Sequence, residues 1–164
     1  MNDDLHASDD CLNIIKESES FFPNAYRDPG GIPTIAWGHT DGVKMGDTCT
    51  REQGAAFLIS DVSYAERIVK DSVKVPLSQN QFDALVSFAF NVGPGKAGQK
   101  SGFVVLQSGN PSTLLRLINA GDFKGAALQF GRWITQNGRE LPGLVTRRAR
   151  EAALFAGNGI TAAA

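Results

Sequence analysis

Along most of this chain, apolar residues recur at the three-to-four-residue period of helices buried on one face. Cys11, Leu12, Ile14 and Ile15, followed by Ser18, form one such stripe. They predict a helix over about 10–20, capped by Asp9 or Asp10. Ala55, Leu58, Ile59, Val62, Ala65, Ile68 and Val69 predict a long helix over about 51–73. Thr50-x-x-Gln53 opens it as a capping box. A second box, Ser78-x-x-Gln81, opens the most apolar helix, with Phe82, Leu85, Val86, Ala89 and Phe90. That helix closes at Asn91-Val92-Gly93-Pro94 and is expected to form the core. Beyond a Gly-rich loop, a short helix is expected over 103–108. Another should start with Asn110 as cap and Pro111 at its first position. A third should run from Gly121-Asp122 to about Phe130. Gln136–Arg139 reads as a turn, and Pro142 precedes a last helix over about 143–156.

The pattern breaks between Asn24 and Lys44. Pro29, Gly30, Gly31 and Pro33 exclude a helix there and impose turns. Thr34–Trp37 reads as a short strand, Ala25–Arg27 as its partner, and Val43–Lys44 as a third strand after the Asp41-Gly42 turn. Phe21 and Phe22 should pack on the body, and residues 1–8 should fray. The fold class is therefore α+β, with two lobes: a small antiparallel sheet and a mainly helical lobe, joined by a long helix. The expected organisation is one domain over 1–164. Its N-terminal lobe covers about 12–50, its linking helix about 51–75 and its helical lobe about 76–157.

Composition narrows this little. A chain of 164 residues can bury roughly 70% of its unfolded surface and needs no metal or disulfide to fold. A net charge of −1 supplies no global attraction to nucleic acid or anionic membrane. Acidic residues gather before residue 20 and arginines between 132 and 150, which suits either solvated faces or a pairing across the fold. Cys11 and Cys49 form neither a disulfide framework nor a zinc pattern, so free thiols in a reducing compartment are expected. The polar N-terminus is unlike a signal peptide, and no apolar run is long enough to span a membrane.

The chemistry gathers where the first helix meets the turns. Glu19 lies at a helix C-terminus, where the dipole opposes a negative charge, and Phe21 and Phe22 add apolar surroundings. Both favour a protonated carboxyl able to donate to a leaving group. Asp28 lies in a Tyr-Arg-Asp-Pro-Gly-Gly turn, where hydration and turn amides favour the carboxylate. Thr34, across that turn, offers a hydroxyl to hold a water beside Asp28. Two carboxyls in opposed environments suit acid–base cleavage of a glycosidic bond. The blander reading is a helix-end glutamate and a turn aspartate with no shared task. Trp37 and Trp133 suit sugar stacking or core packing. Gln136 and Asn137 are substrate-contact candidates by position, as are Gln99 and Lys100. His39 reads as a structural residue. No metal site, cofactor site or nucleic-acid motif is evident.

Glu19, eight residues, Asp28, five residues, and Thr34-Ile35-Ala36-Trp37-Gly38-His39 resemble the bacteriophage lysozyme (endolysin) family. Two further segments extend the resemblance over about 12–157: Phe82–Gly93, and Pro142-Gly143-Leu144-Val145 with Arg147, Arg148 and Glu151. Ser20 and Ala36 depart from it, standing where the family usually has glycine. The resemblance implies an inverting muramidase that cuts the β-1,4 bond between N-acetylmuramic acid and N-acetylglucosamine during phage lysis. Glu19 would be the acid, with Asp28 and Thr34 handling water, and either Arg147 or Arg148 reaching Glu19. It further implies a monomer acting on peptidoglycan without stable membrane association. Such a protein stays in the host cytoplasm until a holin-type lesion admits it to the cell wall. The alternatives are a non-catalytic wall-binding module on the same fold and a lytic transglycosylase.

Overall fold

In a computed structural model, residues 1–157 are described. The last seven residues of the expected 1–164 domain lie outside them. Six helices and two two-stranded sheets occur among the described residues.

α3 (Gln79–Val92) is the axis of the molecule. Every residue from Phe82 to Ala89 on it is buried. α1 (Asp9–Glu19), α2 (Arg51–Ser72) and α6 (Pro142–Phe155) pack around it. A helix wrapped on all sides must be apolar all round, which is why this segment reads as the most hydrophobic. Both α2 and α3 start with the expected reciprocal capping boxes, at Thr50/Gln53 and Ser78/Gln81. α2 buries Gly54, Leu58, Val62, Ala65 and Val69. Ile59 and Ala55, expected on that face, point to solvent instead.

α1, expected in the sheet lobe over 12–50, packs instead on α3 and α6 through Cys11, Ile14 and Ile15. Its cap is Ser8 rather than Asp9 or Asp10. The Ser8 hydroxyl does not bond the helix, because it donates to the Asp83 carboxylate on α3. Nor does the N-terminal segment fray. Asn2 bonds the backbone at Val75 and Leu77, each at 3.0 Å, and Ala7 N donates to Glu66 at 2.7 Å.

β1 (Phe22–Arg27) pairs antiparallel with β2 (Pro33–Ala36), with Tyr26 opposite Thr34 and an irregularity between Phe22 and Tyr26. Phe22, expected against the body, is exposed and lies against Tyr26. The third strand expected at Val43–Lys44 does not form. Pairing there falls to residues 47–49, through Ala25 N to Asp47 O and Cys49 N to Pro23 O, both 2.9 Å.

The helix expected over 103–108 is also absent. Phe103 N donates to Gly93 O and Val104 N to Pro94 O, so the local backbone is committed to the segment that follows α3. A Cβ on Gly95 or Gly102 would meet backbone atoms at 2.1 Å, so two glycines permit this crossing. α4 (Thr113–Asn119) is capped by Ser112, not Asn110, and Pro111 pairs with Val105 instead of starting the helix. The helix expected up to Phe130 stops early as α5 (Phe123–Ala127), followed by one 3₁₀ turn at Phe130–Arg132. β3 (Thr135–Gln136) and β4 (Arg139–Glu140) form a hairpin around Asn137-Gly138. Both turn residues have positive φ, as tight hairpins need. Cys11 and Cys49 are unbridged.

Candidate active site

Glu19 is the last residue of α1. The chain turns sharply after it, because Ser20 adopts φ 57° and ψ 163°. The carboxyl then lies against the backbone of Gly38, where a Cβ would approach Glu19 Oε2 to 2.7 Å. Gly38 thus makes room for the acid. Its signal in the sequence is only that a glycine precedes His39.

Arg147 Nη1 donates to Glu19 Oε1 at 2.7 Å, so Arg147, not Arg148, reaches this carboxyl. Arg147 is itself buried. Its Nη2 donates to the Ser87 carbonyl on α3 at 3.0 Å, and its Nε to Glu151 at 3.3 Å. Arg148 turns the other way. It pairs with Glu151 at 2.7 Å and lies over the Phe88 ring, and burial pulls its guanidinium down to about 10.

Asp28 sits in the turn between β1 and β2. Its Oδ1 accepts from Ile32 N at 2.8 Å, and Thr34 Oγ1 donates to Ile32 O at 2.8 Å. The acid and the hydroxyl are therefore both tied to the backbone of Ile32, and Thr34 itself is buried. Tyr26, opposite Thr34 on β1, faces both carboxylates. Burial first, then the Glu19 and Asp28 charges, push its hydroxyl above the usual phenol range. Tyr26 was visible beforehand only as part of the Tyr-Arg-Asp turn.

The β3–β4 hairpin reaches this turn from the helical side. Asn137 Nδ2 donates to Pro29 O at 3.4 Å, and Gln136 Nε2 lies 3.0 Å from where a Gly30 Cβ would stand. Gln136 and Asn137 are thus beside Asp28. Trp37 is not a sugar platform: it is 8% exposed, tilted against Phe21 at 4.7 Å, with Lys16 and Arg51 over its ring. Trp133 packs edge-on against Phe88 and lines a separate cavity of ≈290 Å³ with Arg132 and Gln129. His39 stacks on Phe57 and bonds Asp61 at 2.8 Å, tying the sheet to α2. Arg150 pairs with Glu17 on the surface, away from the acid.

A cavity of ≈490 Å³ opens on the other side of Gly38. Thr40, Asp41, Ser60, Tyr64, Arg67 and Phe90 contribute to its walls. Hydroxyls, a carboxylate, a cation and an exposed aromatic ring are the groups a pyranose needs. No cluster of metal-ligating side chains occurs among the described residues.

A helical fold with a small sheet, and a helix-end carboxyl clamped by an arginine beside such a cavity, define a lysozyme-type glycoside hydrolase. The chain belongs to the phage lysozyme family, whose sequence profile matches residues 16–151. It is 38% identical over 156 residues to the endolysin of Salmonella phage P22, covering 92% of this chain and 98% of that one. Among solved structures, the endolysin from Escherichia coli O157:H7 phage FAHEc1 superposes with a TM-score of 0.73 at 35% identity, covering 93% and 94% of the two chains. The muramidase domain of SpmX from Asticaccaulis excentricus superposes at 0.75 with 34% identity, covering 92% and 97%.

Proposed function

We propose that Glu19, Asp28 and Thr34 carry the chemistry of this peptidoglycan-hydrolysing endolysin, and that the bond cut is the β-1,4 link between N-acetylmuramic acid and N-acetylglucosamine. The observation that supports it best is the placement of Glu19, wedged between Gly38 and Arg147, with Gly38 itself lining the ≈490 Å³ cavity. A glycan strand running from that cavity past Gly38 brings a glycosidic oxygen to the carboxyl. Glu19 gives its proton to that oxygen, and the leaving sugar departs as an alcohol. Asp28 takes a proton from water held against Thr34 Oγ1, and the water attacks the anomeric carbon from the opposite face, with inversion. Asp28 is suited to this as a carboxylate steadied by the Ile32 amide. Gln136 and Asn137, beside the Asp28 turn, contact the strand or its peptide.

In this reading the described lobes belong to one domain and the protein works as a monomer. It remains in the host cytoplasm until a membrane lesion made by another protein admits it to the cell wall. Among the described residues no helix is long and apolar enough to cross a membrane.

Release of reducing sugar from purified peptidoglycan tests the assignment. General acid catalysis contributes about 10²–10⁴-fold, so Glu19→Gln should lose at least the lower figure. Asp28→Asn should fall comparably, and Thr34→Ala less. A Glu19→Gln protein that folds and retains wild-type release contradicts the assignment.

A further inference from the structure

The charge cluster behind Glu19 is larger than holding one arginine requires. Glu151 lies one turn after Arg147 on α6 and has no exposed surface. Its Oε2 accepts from Arg147 Nε at 3.3 Å, from Arg148 Nη2 at 3.3 Å and from the Ser87 hydroxyl on α3 at 2.5 Å. Its Oε1 lies 2.7 Å from Arg148 Nε. Two buried arginines thus share Glu151, and one of them, Arg147, also holds Glu19. Burying a carboxylate and two guanidiniums is costly, and apolar side chains would fill the α3–α6 interface more cheaply. The arrangement makes sense if the charge itself is used.

We propose that Glu151 is a positioning residue for the acid: it fixes the orientation of Arg147 and sets how much of that positive charge acts on Glu19. The inference rests on Glu19 being the proton donor. Arg147 has its Nε turned to Glu151, its Nη1 to Glu19 and its Nη2 to the Ser87 carbonyl, with the Phe90 ring 6.0 Å away. With three directions occupied, the guanidinium cannot swing away from the carboxyl. Its attraction for Glu19 is divided with Glu151, whose own attraction is divided with Arg148. Glu19 is faced by Arg147 from α6 and Tyr26 from β1, with Arg148 further back, Asp28 on the far side of Tyr26, and Asp61 and Arg67 of α2 in the wall beyond Gly38. Glu151 is faced by Ser87 from α3 and Cys11 from α1, besides the two arginines. Among these groups, Glu151 and Arg148 alter the charge acting through Arg147 without touching Glu19.

The two therefore predict opposite outcomes. In Glu151→Gln, both arginines are left with Glu19 as their nearest carboxylate. The high-pH limb of kcat should move to lower pH, with activity lost there and kept at low pH. In Arg148→Gln, Glu151 turns wholly to Arg147, and the limb should move to higher pH. The double variant, with neither charge, should return toward the wild-type profile, and KM should stay near wild type throughout. A purely structural role would lower activity alike at every pH and move no limb. Folded single variants whose limbs coincide with wild type overturn the proposal.

If neither single variant folds, arginine ¹⁵Nε–H spectra of the wild type decide. An Arg147 signal protected from exchange and shifting over the pH range of the activity limb supports the proposal, whereas one exchanging like a free side chain overturns it. A Glu19→Gln control separates the two readings. If it remains active, the assignment of the acid fails; if it is inactive while the limbs stay fixed, only the role of Glu151 fails.

Discussion

At the scale of single residues, the two departures from the family pattern are where the backbone is most constrained. Ser20 has φ 57° with ψ 163°, a region nearly reserved for glycine, and Ala36 has φ 55°. One follows the acid directly, and the other ends the strand that carries Thr34. Glycine at position 20 would relieve the strain without losing a buried contact, since Ser20 is exposed and its side chain caps nothing. We expect Ser20→Gly to gain about 1 kcal/mol despite glycine's higher unfolded-state entropy, measured by urea denaturation. An unchanged or lower midpoint would mean that the strain is relieved elsewhere. The sequence could not reveal this, because serine carries no mark of the φ it adopts. The roles of Gly38 and Tyr26 were hidden likewise. Each depends on a neighbour supplied by another element, whereas Glu19, Asp28 and Thr34 stood out as candidates through their resemblance to the family pattern.

At the scale of elements, periodicity located the helices whose partners surround them and failed where backbone groups bond to distant segments. α2 and α3 begin at their capping boxes. The helix expected at 103–108 is lost because its amides are taken by the chain after α3, and the strand at Val43–Lys44 because residues 47–49 take its place. Ser8, expected to fray with the rest of residues 1–8, is held by a distant segment: its amide and hydroxyl both donate to Asp83, which also accepts from Gln79 at 3.0 Å. Burial nevertheless raises the Asp83 carboxyl above its ordinary 3.8, assisted by Asp10 and opposed by those bonds. The folded state then holds the Asp83 proton more tightly than the unfolded state. The associated stability is complete at pH below the unfolded value and is lost as pH rises through the folded one. Relative to Asp83→Asn, the wild type should therefore lose stability as pH rises above about 4. Urea midpoints of both proteins across pH measure this, and parallel curves would contradict it.

At the scale of the whole molecule, the site is assembled from residues far apart in sequence. Arg147 and Glu19 are separated by 128 positions. The sequence narrowed the partner to two neighbouring arginines, and only packing of α6 on α3 decides between them, by turning Arg148 onto Phe88. The β3–β4 hairpin closes on the Asp28 turn at one end, and the ≈490 Å³ cavity opens beside Gly38 at the other. Tyr64 is 53% exposed on the cavity wall, with the Arg67 guanidinium 5.9 Å from its ring. It exposes an aromatic face there, which the buried Trp37 does not. An aromatic contact contributes about 0.5–1.5 kcal/mol, so Tyr64→Ala should lower kcat/KM on polymeric peptidoglycan by roughly 2–10-fold, mainly through KM. Steady-state kinetics would show it, and an unaltered KM would place the strand away from this wall.

The central claim is hydrolysis at the muramic acid carbon, driven by Glu19. Mass spectrometry of muropeptides released in ¹⁸O-labelled water tests it most directly. Wild-type digests should carry one heavy oxygen at the new reducing end of N-acetylmuramic acid, and folded Glu19→Gln should release essentially none of these products. Unlabelled anhydro-muramic ends, or equal release by the variant, would contradict the account.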